Sequence, residues 1–217
     1  MTKPKRRMAE GKGARELLLD AAERLWSEHG IDGASLRQIA AESGQGNNSV
    51  IQYHFGDKSG LLKEIIQRRV AGFEPLRQNM LAAAERDGRL GDIRTLLEIL
   101  FLPIAKIVDG RGRHVYAGFM MQFLSSFRYQ VGIDHPGWAS DSAASRAANL
   151  IPDAIPHIVK SAIAGRINRV GGMFFNALIE RDNAAASGRE TEPEVVFLDD
   201  LFNMMTAALA APASTLA

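Results

Sequence analysis

Apolar residues recur at helical spacing along almost the whole chain, and this property decides what the chain can fold into. In ARELLLDAAERLWSEHG, residues 14–30, the side chains of Leu17, Leu18, Ala21, Ala22, Leu25 and Trp26 share one helical face, and Gly30 stands where a terminating glycine belongs. A second helix is expected in SLRQIAAESG, where Ser35 and Gln38 have the spacing of a capping box and Gly44 ends the run. A third, shorter helix should start near Asn47 or Asn48 and run through Phe55, with Ile51 and Phe55 turned inward together. Asp57 is placed to cap a fourth, which Gly72 and Pro75 are expected to bend or end. Beyond it the spacing predicts helices at roughly 76–87, 92–109, 113–130, 141–150, 157–185 and 194–210, broken at sequences such as DGRLGD, VGIDHPGW and IPDAIP. No segment alternates with period two for long enough to build a strand, so the fold class is all-α.

A chain of 217 residues with 46% hydrophobic and 24% charged residues can bury a core without covalent staples. It has no cysteine, which removes disulfides and thiolate metal sites and agrees with a cytoplasmic location. The basic start, MTKPKRRMAEGKG, lacks the apolar run of a signal peptide, and no stretch is apolar enough to span a membrane. Net charge is +1, but Lys3, Lys5, Arg6, Arg7, Lys12 and Arg15 crowd the amino end against Glu10 and Glu16. Such an arm is either a solvated terminus or a tracker of nucleic-acid phosphates. The expected organisation is a basic flexible arm at 1–13, a helix-turn-helix domain at 14–60, a larger helical domain at 61–210 and a disordered tail at 211–217.

Enzyme chemistry finds little support. Neither GRGRH at 110–114 nor GKG at 11–13 completes a phosphate-binding loop, and dinucleotide, nucleophile-elbow and HExxH signatures are missing. His114, His135 and His157 have no ligand spacing around them, and the adjacent Asp199 and Asp200 point apart on a helix. No nucleophile, base and orienter can be assembled, so no enzyme activity, cofactor or metal is expected.

Nucleic acid is better supported. Two short helices joined by a tight glycine-containing connection have the layout of a helix-turn-helix, whose second helix lies in the major groove. That helix carries Asn47, Asn48, Ser49, Gln52 and Tyr53, whose chemistry suits base edges, while Ile51 and Phe55 anchor it from behind. Residues 14–62, through LLLDAAERLWSEHGIDGASLRQIAAESG and IQYHFGDKSGLL, resemble the amino-terminal domain of TetR-family transcriptional regulators. The resemblance implies a three-helix DNA-binding domain followed by a larger helical ligand-binding and dimerisation domain. It implies phosphate contacts by Ser35, His54 and Lys58, with Arg37 along the backbone or groove edge, and leaves Asn47, Asn48, Ser49, Gln52 and Tyr53 to read bases. The stretch from Gly44 to Phe55 is one residue longer than the family's usual form, so Gln52 takes the place of its phosphate-binding tyrosine. Two registers stay open for Asn47 and Asn48.

The family further implies a homodimer formed by the last two helices, for which Ile167, Val170, Phe174, Leu178, Leu198, Phe202 and Met205 supply apolar stripes. A dimer sets two reading helices about one DNA turn apart, on a near-palindromic operator. The Phe- and Met-rich middle helices suit an adaptable apolar pocket for a small-molecule effector, with Phe101, Tyr116, Met120, Phe123, Phe127 and Phe174 as candidate walls. Arg128, Tyr116 and Gln122 are its candidate polar handles. The function expected is a ligand-responsive dimeric regulator, a repressor released by its effector. The alternative is a helical dimeric adaptor that binds a protein or peptide and no DNA.

Overall fold

The computed structural model describes residues 13–47, 49–127 and 141–213, with Ser126 and Phe127 described in backbone only. Among these residues every regular element is helical: α1 (Ala14–His29), α2 (Leu36–Glu42), α3 (Ser49–Phe55), α4 (Lys58–Arg86), α5 (Ile93–Ala105), α6 (Val115–Gln122), α7 (Ala143–Ala154), α8 (Lys160–Ala186) and α9 (Glu194–Ala210). A single π-helical turn, Phe123–Phe127, extends α6.

α1 is the element on which the amino-terminal unit is built. Leu18, Leu19, Ala22 and Trp26 are buried along it, and it packs on α2, α4 and α6. The Trp26 indole satisfies its one polar group by donating to the Ala34 carbonyl at 3.1 Å, which ties the α1–α2 loop to the core. Its ring stacks on Phe119 of α6 at 6.3 Å, and Phe119 stacks in turn on Tyr116 at 6.0 Å. The apolar core is therefore continuous from the first helices into the larger bundle. The sequence-expected division at residue 60 falls inside α4, which runs through it without a break.

Three helix boundaries differ from the spacing-based expectation. The expected fourth helix and the one at 76–87 are one 29-residue helix, with Gly72 and Pro75 inside it. Pro75 and Ala71 both lie on the exposed face, so the amide that proline lacks would have served a carbonyl that water can reach. α7 likewise continues past Pro152 to Ala154, and the break comes at Ile155 instead. α5 stops at Ala105, because the next segment folds into a loop organised by Asp109.

Charged side chains join α1 to α4. Glu23 is 1% exposed and accepts from Arg68 Nη2 at 2.8 Å and Arg69 Nε at 2.9 Å. Arg68 also reaches Asp20 at 2.8 Å and Glu16 at 3.1 Å. A carboxylate so deeply buried is tolerable only when paired and hydrogen-bonded, as this one is.

Candidate nucleic-acid interface and effector cavity

The turn between α2 and α3 is set by caps at both ends. Ser35 opens α2 with a complete capping box: its Oγ accepts from the Gln38 amide at 3.3 Å, and Gln38 Oε1 accepts from the Ser35 amide at 2.8 Å. α2 ends in a Schellman motif, Gln45 N–H donating to the Ala40 carbonyl and Gly44 N–H to that of Ala41, with Gly44 at φ 79°. A second left-handed glycine follows, Gly46 at φ 65°, and across it the Asn47 amide donates to the Gln45 carbonyl at 2.8 Å. Asn47 then turns its own Oδ1 back onto the Ser49 amide at 3.0 Å, so its carbonyl oxygen is engaged in starting α3. Asn48 lies outside the described residues.

α3 divides by face. Ile51 is fully buried and Phe55 nearly so, while Ser49, Gln52 and Tyr53, at the spacing of one helical face, are exposed, Tyr53 to 85%. His54 is half-buried, its ring edge-on to Tyr53 at 5.0 Å and tilted against Phe55 at 5.9 Å. Ser35 and Arg37 are exposed on the neighbouring α2. Gly60 lets the start of α4 close onto the end of α3, because a Cβ there would stand 1.9 Å from the Phe55 carbonyl oxygen. Asp57 caps α4 by accepting from the Gly60 amide at 2.8 Å. Lys58, in the first turn of α4, pairs with Asp32 of the α1–α2 loop at 2.7 Å. Asp32 is largely exposed, and surface pairs of this kind contribute only about 0–1 kcal/mol, so a phosphate can compete for the ammonium. Ser35, Arg37, Ser49, Gln52, Tyr53, His54 and Lys58 therefore all belong to α2 and its cap, α3 and the first turn of α4, consecutive elements in which α3 packs on both of the others.

A second feature lies deeper. Between α4, α5, α6 and α8 is a cavity of about 80 Å³ whose lining includes Phe73, Arg77, Phe101, Tyr116, Met120 and Asn168. Phe101, Tyr116 and Met120 were expected at such a cavity. Phe123 and Phe174 are not part of its lining: at 1% and 0% exposed they are packed in the core, Phe174 against Phe101, Phe175 and Phe202. The Phe127 side chain and Arg128 lie outside the described residues. Gln122 does not line the cavity either; its side-chain oxygen approaches Gly30 of the α1–α2 loop. Arg77 and Asn168 were not anticipated. Arg77 was detectable, because it interrupts the apolar register Phe73, Leu81, Ala84 on the buried face of α4. Burial pushes the Tyr116 hydroxyl well above the usual phenol range, so it stays protonated and is a hydrogen-bond donor.

The residues expected at a dimer interface are occupied within one chain. Ile167, Val170, Phe174, Leu178, Leu198, Phe202 and Met205 are between 0% and 7% exposed, because α8 and α9 use these stripes to pack on each other and on neighbouring helices. The outward face of α9 carries Val196 and Met204, both about half exposed.

A capped helix-turn-helix seated on a helical body is an architecture found in DNA-binding regulators. Residues 18–65 match the sequence profile of the bacterial regulatory proteins of the tetR family. Among curated proteins, none matches the sequence. Solved structures align with the chain at low identity. A TetR-family protein from Mesorhizobium loti is 15% identical, with 91% of this chain and 94% of that one covered and a TM-score of 0.45. The multidrug binding protein EbrR, complexed with imidazole, is 16% identical over 94% and 98% of the two chains, with a TM-score of 0.42. The transcriptional regulator FadR from Bacillus subtilis, in complex with stearoyl-CoA, is 15% identical over 92% and 99%, with a TM-score of 0.43.

Proposed function

We propose that this chain is a ligand-responsive, homodimeric repressor that holds a near-palindromic operator and is released from it by a small, largely apolar effector. The observation that carries the reading is the division of α3: Ser49, Gln52 and Tyr53 outward, Ile51 and Phe55 inward, with Ser35 and Lys58 on the adjoining helix starts. Ser35, His54 and Lys58 act on phosphates and set the register, Arg37 lies along the groove edge, and the exposed residues of α3 read bases. Asn47, just ahead of α3, and Asn48 complete that set.

Dimerisation through the outward faces of α8 and α9, where Val196 and Met204 are exposed, gives two reading helices about one DNA turn apart. The regulator acts in the cytoplasm, and its basic amino-terminal arm adds phosphate contacts. An effector in the cavity that prefers one separation of the two heads weakens operator binding by its differential affinity for that state.

The test is retardation of a duplex from immediately upstream of the chain's own gene, at rising salt. Binding should fall steeply with salt, and Lys58→Glu should weaken binding to every sequence alike. A Lys58→Glu protein that binds as tightly as the wild type removes the assigned docking. Binding to a peptide or protein partner with no DNA retained at low salt returns the chain to the adaptor reading.

A further inference from the structure

We propose that the cavity between α4, α5, α6 and α8 is a site for a small organic anion, a carboxylate on a compact apolar body, held by the Arg77 guanidinium with the Tyr116 hydroxyl beside it. The proposal deepens the reading of the chain as a ligand-responsive regulator and rests on it.

Arg77 is 6% exposed and its side chain lies against the cavity. Of its five N–H donors, one is spent on the Leu100 carbonyl, from Nη2 at 2.7 Å. Its Nε is buried with no partner, and among the described residues no carboxylate forms an ion pair with it. Glu74, one turn earlier on α4, makes no ion pair with it: its Oε1 accepts from the Ala143 amide at 2.7 Å, at the start of α7, and its buried Oε2 has no hydrogen-bond partner. The Phe73 ring, 5.1 Å from the guanidinium carbon, and the through-space field of Glu74 are the further compensation. Burial works against the charge of Arg77, yet an arginine does not lose its proton inside a protein. A buried cation with one hydrogen bond and no ion pair is unfavourable, and an anionic ligand relieves that cost where an apolar one does not.

The other walls define the rest of the ligand. Phe73, Phe101, Ile104, Met120 and Phe175 offer an apolar surface that suits an aliphatic or aromatic body. Tyr116 lines the same cavity, and its hydroxyl has no hydrogen-bond partner among the described residues. As a neutral phenol, it is a second donor for a carboxylate oxygen. A volume of about 80 Å³ is small against the roughly 300–1,000 Å³ of pockets for drug-sized ligands, which selects a compact body.

The experiment is calorimetric titration of the full chain with phenylacetate and hexanoate, with their neutral isosteres phenylacetamide and hexanamide, and with inorganic phosphate. The carboxylates should bind about tenfold to a hundredfold more tightly than the amides, and more tightly than phosphate, which gains nothing from the apolar walls. Arg77→Met should bind carboxylate and amide alike, and Tyr116→Phe should weaken the carboxylates several-fold. Should Arg77→Met fail to fold, the wild-type ratio and Tyr116→Phe decide the matter. Equal affinity for carboxylate and amide, phosphate binding as tight as carboxylate, or no binding of any probe overturns the proposal.

Retardation of operator DNA, run alongside, separates the two readings. Release by the amides but not the carboxylates removes the anion site and keeps the ligand-responsive regulator. Arg77-dependent carboxylate binding with DNA retention unchanged keeps the site and removes its regulatory role.

Discussion

Gly118 of α6 faces Ser27 of α1 so closely that a Cβ on the glycine would stand 2.1 Å from the Ser27 hydroxyl oxygen and 3.2 Å from its Cβ. Here the helix that carries Tyr116 and Met120 to the cavity meets the helix on which the DNA-binding unit is built. Any displacement of α6 at this contact would press on α1, since packed interiors transmit strain.

This closeness gives an opposed pair of effects for Gly118→Ala. In an open helix the change would stabilise by about 1 kcal/mol. Here it should instead destabilise by about 1–3 kcal/mol, the usual cost of overpacking. Adding Ser27→Ala removes the nearest oxygen and should recover part of the loss. Chemical denaturation of the two variants checks both signs.

Glu23 should be the most sensitive charged residue of the amino-terminal unit. Replacing it with alanine leaves Arg68 and Arg69 facing each other without their shared carboxylate. The loss should approach the roughly 3–5 kcal/mol of a broken buried pair, reduced by the partial exposure of both arginines. Thermal unfolding measures it. A change under about 0.5 kcal/mol, the range of an ordinary surface substitution, would place the stabilisation elsewhere.

Asp109 predicts a pH dependence. Burial acts to raise its carboxyl, but the amides of Arg113 and Arg111 and the Arg113 guanidinium outweigh it and hold it below the usual range. The unfolded chain therefore binds this proton more tightly than the folded one. The stabilisation is fully present above the ordinary carboxylate value, about 4, and is lost as pH falls through the folded value. Asp109→Asn should lower the melting temperature at neutral pH, and the gap to wild type should close in acid. A gap that is constant across this window removes the electrostatic account.

Tyr53→Ala separates stability from recognition. A side chain 85% exposed contributes little to the core, so stability should stay within about 0.5 kcal/mol of wild type. Affinity for the operator should fall, and competition with unrelated duplex should show whether the loss is sequence-dependent. Equal operator affinity removes Tyr53 from the reading set.

Local signals were the readable ones. Ser35 with Gln38, Gly30, Gly44 and Asp57 act within a few residues of themselves, and each does in the structure what its spacing predicts. Pro75 and Pro152 were misleading for a related reason. Whether a proline ends a helix depends on what faces the amide it lacks, and that is a matter of surroundings rather than spacing. Phe123 and Phe174 were indistinguishable from cavity walls in the sequence, because a core position and a lining position require the same apolar side chain.

The sequence alone determined the all-helical class, the helix-turn-helix and the inward and outward faces of α3, since periodicity and caps are written over one or two turns. Only the tertiary structure decided which aromatic residues border a void and that the stripes of α8 and α9 are spent within the chain. It also decided that Arg77 lies buried without a carboxylate partner. Those properties depend on which distant segments meet, and a helical period specifies a face without naming what will cover it.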